Sequence, residues 1–330
     1  MTAEVYFAQR RATGGGGLMD KIEQLLDAAG LAQIVASGDR VAVKTHFGEP
    51  GNTTHIRPEI LRRLIKKVRQ AGANPFVTDT NARRSPRRTE AVGHLEVASA
   101  HGFNCQTLGA PVLIADGVDG LHGTTYPTGG TQPGTVAIAG AIDDAEAIVV
   151  ANHVTFHPEV GFCGALYHLG LGALTRESKL ALSTVATEAL VLAGGAPAAA
   201  ETASEPTALP PDLLAARVAE AFGVVHRSKG GKILYCNILM DLTPDPDGAS
   251  WSDAAVIPDV GILVSRDPVG LDQATADFLN MQTGIPGTRL MDPATPDKIR
   301  SLAPAADWDY LLELVARDGL GSRDYELLII

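Results

Sequence analysis

RVAVKTHFGEPGNTTHIRPEILRRLIKKVRQAGANPFVTD, residues 40–79, is the stretch that decides the fold class. It opens with a run typical of a buried strand and closes with a second short strand. Between the two, Pro58 marks the start of a helix. The apolar residues that follow recur at helical spacing: Ile60, Leu61, Leu64, Ile65 and Val68. This succession of strand, helix and strand predicts a parallel pair with a helix covering the sheet.

The same alternation extends outward along the chain. Helices are predicted at residues 18–30, 89–102, 211–223 and 272–280, and strands at 105–116, 134–140, 231–239 and 259–265. Residues 144–153 are predicted to pass from a helix into a strand. The sequence therefore predicts an α/β fold with a mostly parallel, Rossmann-like sheet and helices on both faces.

Residues 191–211, VLAGGAPAAAETASEPTALPP, interrupt this alternation. Alanine, glycine, proline and polar residues dominate the segment, which is typical of a solvated linker. The linker separates an N-terminal half, residues 1–190, from a C-terminal half, residues 212–330. We expect the two halves to interleave and the N-terminal half to carry the functional site.

The overall composition excludes several classes of protein. The chain has 330 residues, of which 45% are hydrophobic and 20% charged, as in globular proteins. Apolar runs fall short of the roughly 20 residues that a membrane span needs, so no membrane partner is expected. A net charge of −11 disfavours nucleic-acid binding. The three cysteines are widely spaced and no leader pattern is evident, so we expect a cytoplasmic protein without disulfides.

One local cluster departs from the acidic balance. RRSPRR, residues 83–88, is strongly basic. Such a run is most often a solvated loop, and the alternative is a loop that binds a phosphate or carboxylate group.

Polar side chains follow three of the predicted strands, whose carboxyl ends should meet at one edge of the sheet. These residues are His46, Glu49 and Asn52, then Asp79, Thr80 and Asn81, and finally Asn152, His153 and His157. Because Pro158 follows His157 directly, we expect a loop rather than a helix between the last two histidines. Histidines together with a carboxylate can bind zinc, iron, manganese or nickel, although a single histidine is more often structural.

Two further residues near this loop allow alternative interpretations. Cys163 precedes the start of a helix, a position that lowers the pKa of a thiol and is typical of a reactive cysteine. The favoured interpretation is that Cys163 is a small buried residue. His168 lies on a short helix or turn, and the pattern leaves its role open.

Seven motifs resemble those of a known protein family. They are HFGEPGNTTHIRPEI, PFVTDTN, GFNCQTLGAPVLIADG, GFCGALYHLGLG, DLTPD, DVGILVSRDPVGLDQA and GLGSRDYEL. In this order they resemble the domain of unknown function 362 family over nearly the whole chain. The positions that match the pattern are His46, Glu49, Asn52, Asp79, Asn81, His153, His157, Gly161, Gly164, Gly170 and Gly172.

The resemblance also implies a difference in cofactor content. Members of the family commonly carry a ferredoxin-like module between two halves, where this chain has its linker. Each [4Fe–4S] cluster needs four thiolates, and the chain has three scattered cysteines. We therefore expect a variant without an iron–sulfur cluster.

These observations favour a metal-dependent enzyme that acts on a small anionic substrate at the carboxyl ends of the strands. The predicted ligands of a divalent transition-metal ion are His46, His153 and His157. The predicted catalytic residues are Asp79 or Glu49, as a general base or as a partner of a ligand, and Lys44, which would neutralise substrate charge. The predicted cofactor-binding residues are Asn52, Asn81, Asn152, Gly161 and Gly164.

Three alternatives stay open at this point. The first is metal-free acid–base chemistry in the same crevice. The second is redox chemistry with a dissociable organic cofactor or an external electron carrier, for example in a biosynthetic pathway. The third is a non-catalytic accessory protein that binds a metal or a cofactor.

Overall fold

A computed structural model describes residues 2–12, 14, 16–130, 133–183 and 209–330. Most of the predicted linker, residues 191–208, lies outside the described residues. Its last residues lead directly into a helix that begins at Pro211.

The chain alternates between strands and helices along most of its length. The strands are β1 (Ala3–Gln9), β2 (Arg40–Lys44), β3 (Asn74–Asp79), β4 (Val112–Ile114), β5 (Gly123–Pro127), β6 (Thr135–Ala139), β7 (Ala147–His153), β8 (Thr155–His157), β9 (Gly161–Cys163), β10 (Ile233–Leu239), β11 (Gly261–Ser265) and β12 (Tyr325–Ile329). The helices are α1 (Leu18–Ala28), α2 (Leu31–Ile34), α3 (Pro58–Gln70), α4 (Ala91–Ala100), α5 (Cys105–Leu108), α6 (Gly140–Asp143), α7 (Ala165–Gly170), α8 (Arg176–Ser183), α9 (Pro211–Ser228), α10 (Pro268–Met281), α11 (Lys298–Leu302) and α12 (Trp308–Arg317).

An 8-stranded sheet in the order β12-β1-β11-β10-β7-β2-β3-β4 forms the centre of the fold. Strand β11 is antiparallel to both of its neighbours, and the other adjacent pairs are parallel. The prediction of a mostly parallel α/β fold is therefore confirmed.

The N-terminal strand β1 lies between two strands from the other end of the chain. It pairs with β11 in antiparallel register, with Phe7 opposite Leu263. On its other side it pairs with β12 in parallel register, with Val5 opposite Leu327. The sequence pattern did not predict β1, although it predicted the helix α1 that follows it.

Both faces of the central sheet are covered, as the continuous apolar runs of β2 and β7 predict. Val149 of β7 points into one apolar cluster together with residues of α1 and α3. Ile148, its neighbour, points into a second cluster together with residues of α7, α9, α10 and α12. Among the described residues, no helix is long and apolar enough to cross a membrane.

Three predicted segments differ from the observed structure. Residues 105–116 form the short helix α5 before β4, because Asn104 caps that helix by accepting a hydrogen bond from the Thr107 N–H at 3.0 Å. Strand β6 pairs with β5 in a separate two-stranded sheet rather than joining the central one. The segment predicted as a loop around Pro158 is a hairpin of β8 and β9.

Candidate active site

A cavity of about 490 Å³ opens at the carboxyl ends of β2, β3 and β7. Its wall also includes residues of the basic segment (residues 83–88), the β8–β9 hairpin, α7, α8 and the loop 245–251. The charged or imidazole-bearing residues of the wall are Lys44, His46, Asp79, Arg83, Arg84, Arg88, His153, His157, Glu159, His168, Lys179, Asp245 and Asp247. The sheet therefore brings together the predicted Lys44, His46, Asp79, Asn152, His153 and His157.

Lys44 and Asp79 form a buried ion pair at the floor of the cavity. Lys44 Nζ lies 2.9 Å from Asp79 Oδ1, 2.8 Å from the Thr45 carbonyl oxygen and 3.4 Å from His168 Nε2. These three partners use all the N–H donors of the ammonium group. Burial alone would raise the pKa of Asp79, but the Lys44 charge and the His94 imidazole hold it well below its ordinary value.

His46 follows β2 and presents a hydrogen-bond donor to the cavity. Its Nδ1 accepts a hydrogen bond from the Gly48 N–H at 3.0 Å. Burial and the nearby Arg88 charge lower the pKa of His46 well below its ordinary value, so the ring is neutral at pH 7. A neutral ring with an accepting Nδ1 carries its proton on Nε2. His46 Nε2–H has no hydrogen-bond partner among the described residues and can donate to a ligand.

His157 has the same tautomer for the same reason. Its Nδ1 accepts a hydrogen bond from the Glu159 N–H at 3.1 Å, and its Nε2 lies 3.4 Å from Tyr167 Oη. Burial and the Arg83 charge lower the pKa of His157 to about 3. The ring is therefore neutral, and its Nε2–H points to the Tyr167 hydroxyl.

His153 is a buried imidazolium with both nitrogens engaged. Its Nδ1 lies 2.9 Å from each carboxylate oxygen of Asp247, and its Nε2 lies 2.7 Å from the Met240 carbonyl oxygen. Burial alone would lower the pKa of His153, but the Asp247 carboxylate and the Met240 carbonyl raise it. Because both neighbours are acceptors, both ring nitrogens carry protons.

These arrangements do not fit a metal ion bound by His46, His153 and His157. A metal ligand needs an unprotonated ring nitrogen directed at the ion, and in each ring the candidate nitrogen is protonated or already engaged. Within the described part of the chain, no group of three or more His, Cys, Asp and Glu side chains could hold a metal ion. The metal assignment therefore stays a prediction that requires the rings to reorient.

His168, whose role the sequence left open, belongs to the floor of the cavity. Its Nε2 accepts from the Lys44 ammonium at 3.4 Å, so its Nδ1 carries the proton. Burial and the Lys44 charge lower the pKa of His168 well below its ordinary value. The helix α7 thus places a second neutral imidazole beside the buried ion pair.

Glu49 lies behind the cavity wall and orders the basic segment. It accepts hydrogen bonds from Ser85 Oγ at 2.6 Å and from Arg88 Nε at 2.7 Å. Glu49 and Arg88 are both buried, whereas Arg84 is exposed at the cavity. The basic segment is therefore a fixed part of the wall at Arg88 and solvated at Arg84.

Asn52 and Asn81 support the backbone rather than line the cavity. Asn52 Oδ1 accepts from the His55 N–H at 3.0 Å. Asn81 Nδ2 donates to Asp116 Oδ1 at 3.2 Å and to the Gly117 carbonyl at 3.0 Å. Their cofactor-binding roles stay predictions, with no direct access to this cavity.

Asn152 lines the cavity and connects two parts of the fold. Its Nδ2 donates to the Cys163 carbonyl at 2.9 Å and to Asn237 Oδ1 at 3.3 Å. Asn237 in turn donates to Asp272 Oδ1 at 2.8 Å. The chain of amides thus fixes the hairpin and α10 relative to β7.

Burial raises the pKa of the Cys163 thiol, which keeps it protonated and unreactive at neutral pH.

Gly161 and Gly164 are sites of close packing. A Cβ atom on Gly161 would lie 2.3 Å from Trp308 Cβ, and the residue has a positive φ of 84°. A Cβ atom on Gly164 would lie 2.4 Å from Asp272 Oδ2. The Asp272 carboxylate accepts the N–H groups of Ala165 and Leu166, at 2.7 and 2.9 Å, and so caps α7. Both glycines shape the site without reaching the cavity.

Gly164→Ala is expected to lower the free energy of unfolding by about 1–3 kcal/mol, because the added methyl group displaces the carboxylate that caps α7. Denaturant unfolding would measure the change. Gly134→Ala is the control, since a Cβ there meets nothing within 4 Å, and its effect should stay below about 0.5 kcal/mol. Equal effects in the two variants would contradict this account of Gly164.

Lys179 is the site residue that sequence reasoning missed. Its ammonium donates to Thr80 Oγ1 and to the Asn81 carbonyl oxygen at 2.9 Å, and it is buried on α8. Burial lowers the pKa of Lys179 to about 8. In the sequence it is one lysine on a short helix, and only its contacts with Thr80 and Asn81, which follow β3, mark it.

The acidic loop 245–251 forms one wall of the cavity. Asp247 pairs with His153, and Asp245 receives both terminal nitrogens of Arg289, at 2.8 and 2.7 Å. Trp251 Nε1 donates to Asp245 Oδ2 at 2.9 Å. The loop is thus tied to the body of the protein by two ion pairs.

A curated protein is similar to part of the chain. The chain is 30% identical over 105 residues to the thylakoid-associated protein sll1697 of Synechocystis sp. (strain ATCC 27184 / PCC 6803 / Kazusa). The match covers 30% of this chain and 33% of that protein, so the chain spans about a third of its length.

A solved structure of the lactate racemase apoprotein from Thermoanaerobacterium thermosaccharolyticum is also similar. The TM-score is 0.42 at 13% identity, over 73% of this chain and 51% of that chain. A likeness at this level transfers no activity, metal or substrate.

The family comparison covers most of the chain. The sequence model for the domain of unknown function DUF362 matches residues 41–277. That range contains nearly all of β2, every element from α3 through β11 and most of α10, with every predicted site residue. The chain therefore belongs to the DUF362 family.

Proposed function

We propose that the cavity binds a small organic anion and that the protein is an enzyme acting on it by acid–base chemistry. The observation that carries this proposal is the environment of Lys179. Its ammonium is buried, donates to the neutral oxygens of Thr80 and Asn81, and forms no ion pair with any described residue. The Asp79 and Asp116 charges raise the pKa of Lys179, but burial still lowers it to about 8, and a bound anion would supply a directly contacting counter-charge.

The other buried cations of the wall already have carboxylate partners. Lys44 pairs with Asp79 at 2.9 Å, and Arg88 pairs with Glu49 at 2.7 Å. Lys179 is therefore the cation that a ligand would contact in the buried part of the cavity. Arg84 adds a solvated positive charge at the open part, where it has no hydrogen bond or ion pair to a described residue.

The state of His46 supports chemistry next to a carbonyl or carboxyl group. A neutral imidazole can polarise a substrate oxygen by donating Nε2–H, and the oxygen then stabilises negative charge that develops when a neighbouring proton leaves. With a pKa near 8, Lys179 has an uncharged fraction close to neutral pH, and this amine can accept the departing proton and become the ammonium that pairs with the anion. This pairing favours redox-neutral reactions, such as isomerisation or lyase chemistry.

Lys179→Met is expected to weaken the binding of malonate and succinate by about tenfold or more. The substitution keeps most of the length of the side chain and removes a charge-assisted hydrogen bond. In the native protein the affinity should fall as the pH rises past about 8, because the cationic form of Lys179 binds the anion. Titration calorimetry at several pH values would measure both effects.

Lys66→Met is the matched control for this test. Lys66 lies on the surface of α3, paired with Glu23 at 2.8 Å, and its removal should leave anion affinity unchanged. If Lys179→Met folds normally and binds both anions as the native protein does, the proposed role of the cavity is wrong.

The metal-dependent form of the proposal stays a separate prediction. It requires a divalent transition-metal ion on His46, His153 and His157, whose rings would have to change tautomer or partner. Elemental analysis of the purified protein and of a His153→Ala/His157→Ala variant tests it. About one equivalent of metal that is lost in the variant would support the ligand set, and a metal-free native protein would leave the acid–base form.

A further inference from the structure

An exposed tryptophan stands at the open side of the cavity. Trp251 is 57% exposed, and it belongs to the cavity wall. Its indole N–H donates to Asp245, whose carboxylate is fixed by Arg289 at 2.8 and 2.7 Å. The polar edge of the ring is thus satisfied and oriented within the protein. The apolar area that stays in contact with water is available to a ligand.

The cavity is larger than a small carboxylic acid requires. A water molecule occupies about 30 Å³ in the liquid, so 490 Å³ corresponds to roughly sixteen waters and to a ligand of similar atom count. The wall around the buried cations and Trp251 includes apolar groups: Pro158, Tyr167, Leu171, Pro246 and Ala249. An anion that fills this space therefore has an apolar body.

We propose that the ligand is an aromatic carboxylate, with its carboxylate on Lys179 and its ring against the indole of Trp251. The inference rests on the proposed function, because it takes the same cavity and the same anion contact. A planar ring makes better contact with the face of an indole that is held in one orientation than a flexible aliphatic chain does. Arg84, whose guanidinium is solvated beside this cavity, offers a planar cation that can stack on the same ring.

Calorimetry with three carboxylates on the full chain tests the inference. Phenylacetate supplies the ring, cyclohexylacetate supplies an apolar group of similar size without a π system, and acetate supplies the anion alone. Phenylacetate is expected to bind at least tenfold more tightly than acetate. It is expected to bind about threefold more tightly than cyclohexylacetate, or better. Trp251→Leu should remove the preference for phenylacetate over cyclohexylacetate.

A fluorescence variant provides an independent measurement. The chain has two tryptophans, and Trp308 packs against Phe162 away from the cavity wall. In Trp308→Phe the emission therefore reports on Trp251 alone, and phenylacetate should change it at the concentrations that calorimetry gives.

The outcomes separate the inference from the proposed function. If the three carboxylates bind equally, or if Trp251→Leu keeps the ring preference, the aromatic inference is wrong and the anion site stands. If cyclohexylacetate matches phenylacetate, the ligand body is apolar and not aromatic, which also overturns the inference. If none of the three binds, and Lys179→Met changes nothing with malonate, both proposals fail.

Discussion

Asp79→Ala is expected to lower the free energy of unfolding by about 3–5 kcal/mol. The carboxylate accepts from Lys44 Nζ at 2.9 Å and from the Thr80 N–H at 2.8 Å, and both members of the ion pair are buried. Removal of one partner leaves the Lys44 charge in a site of low polarity without its counter-charge, which costs more than the pair itself contributed. Urea unfolding monitored by circular dichroism would measure the loss.

A double variant separates the effect of the unpaired Lys44 charge on stability from the effect of lost packing. In Lys44→Met/Asp79→Leu both charges are replaced by apolar groups, and much of the stability lost in Asp79→Ala should return. Asp27→Ala is the surface control, because Asp27 is 60% exposed in its pair with Lys67 and should cost less than about 1 kcal/mol. A cost for Asp79→Ala within that same range would contradict the buried-pair interpretation.

Asp247→Ala is expected to lower the free energy of unfolding by about 3 kcal/mol at pH 6 and by clearly less at high pH. The carboxylate neutralises the buried His153 imidazolium, with both oxygens 2.9 Å from Nδ1. The pKa of His153 is raised in the folded protein, so the pair stabilises fully below the ordinary pKa near 6.5. That stability is lost as the pH rises through the raised folded pKa. Unfolding of both proteins at about pH 6 and about pH 9 would show the difference.

Asp253, which follows the loop 245–251, offers a control for this effect. Asp253 pairs with Arg289 at 3.4 Å and is 43% exposed, so Asp253→Ala should change stability by less than about 1 kcal/mol at either pH. If Asp247→Ala costs the same at both pH values, His153 is not the titrating partner. Anion titration of the folded variant would then show whether the loop still forms that wall of the cavity.

The sequence predicted the elements that periodicity governs. Strand β3 has the bounds read from NPFVTD, and α3 begins at Pro58, because a buried strand and an amphipathic helix each impose a local pattern. The convergence of His46, Asp79 and His153 followed from the rule that parallel strands share a carboxyl edge. Location could therefore be predicted from local patterns and topology together.

The chemistry of the same residues could not be read in this way. The tautomer of His46 depends on one backbone N–H two residues away, and the charge of His153 depends on Asp247, which is distant in the chain. Asp272 caps α7 from a helix more than a hundred positions later, and burial raises the pKa of Asp272 to about 6. Such contacts leave no periodic signal, so residue types alone suggested metal ligands where the geometry supplies hydrogen-bond donors.

The position of β1 has a consequence for synthesis on the ribosome. The strand is translated before both of its neighbours in the sheet, which are β11 and β12. At about 5–20 residues per second, the roughly 250 residues between β1 and β11 take on the order of ten to fifty seconds to translate. During that interval β1 has both edges unpaired, and an unpaired strand is a template for association with other chains. Glu4, which is exposed on this strand, places a negative charge there that disfavours such association before β11 and β12 are available.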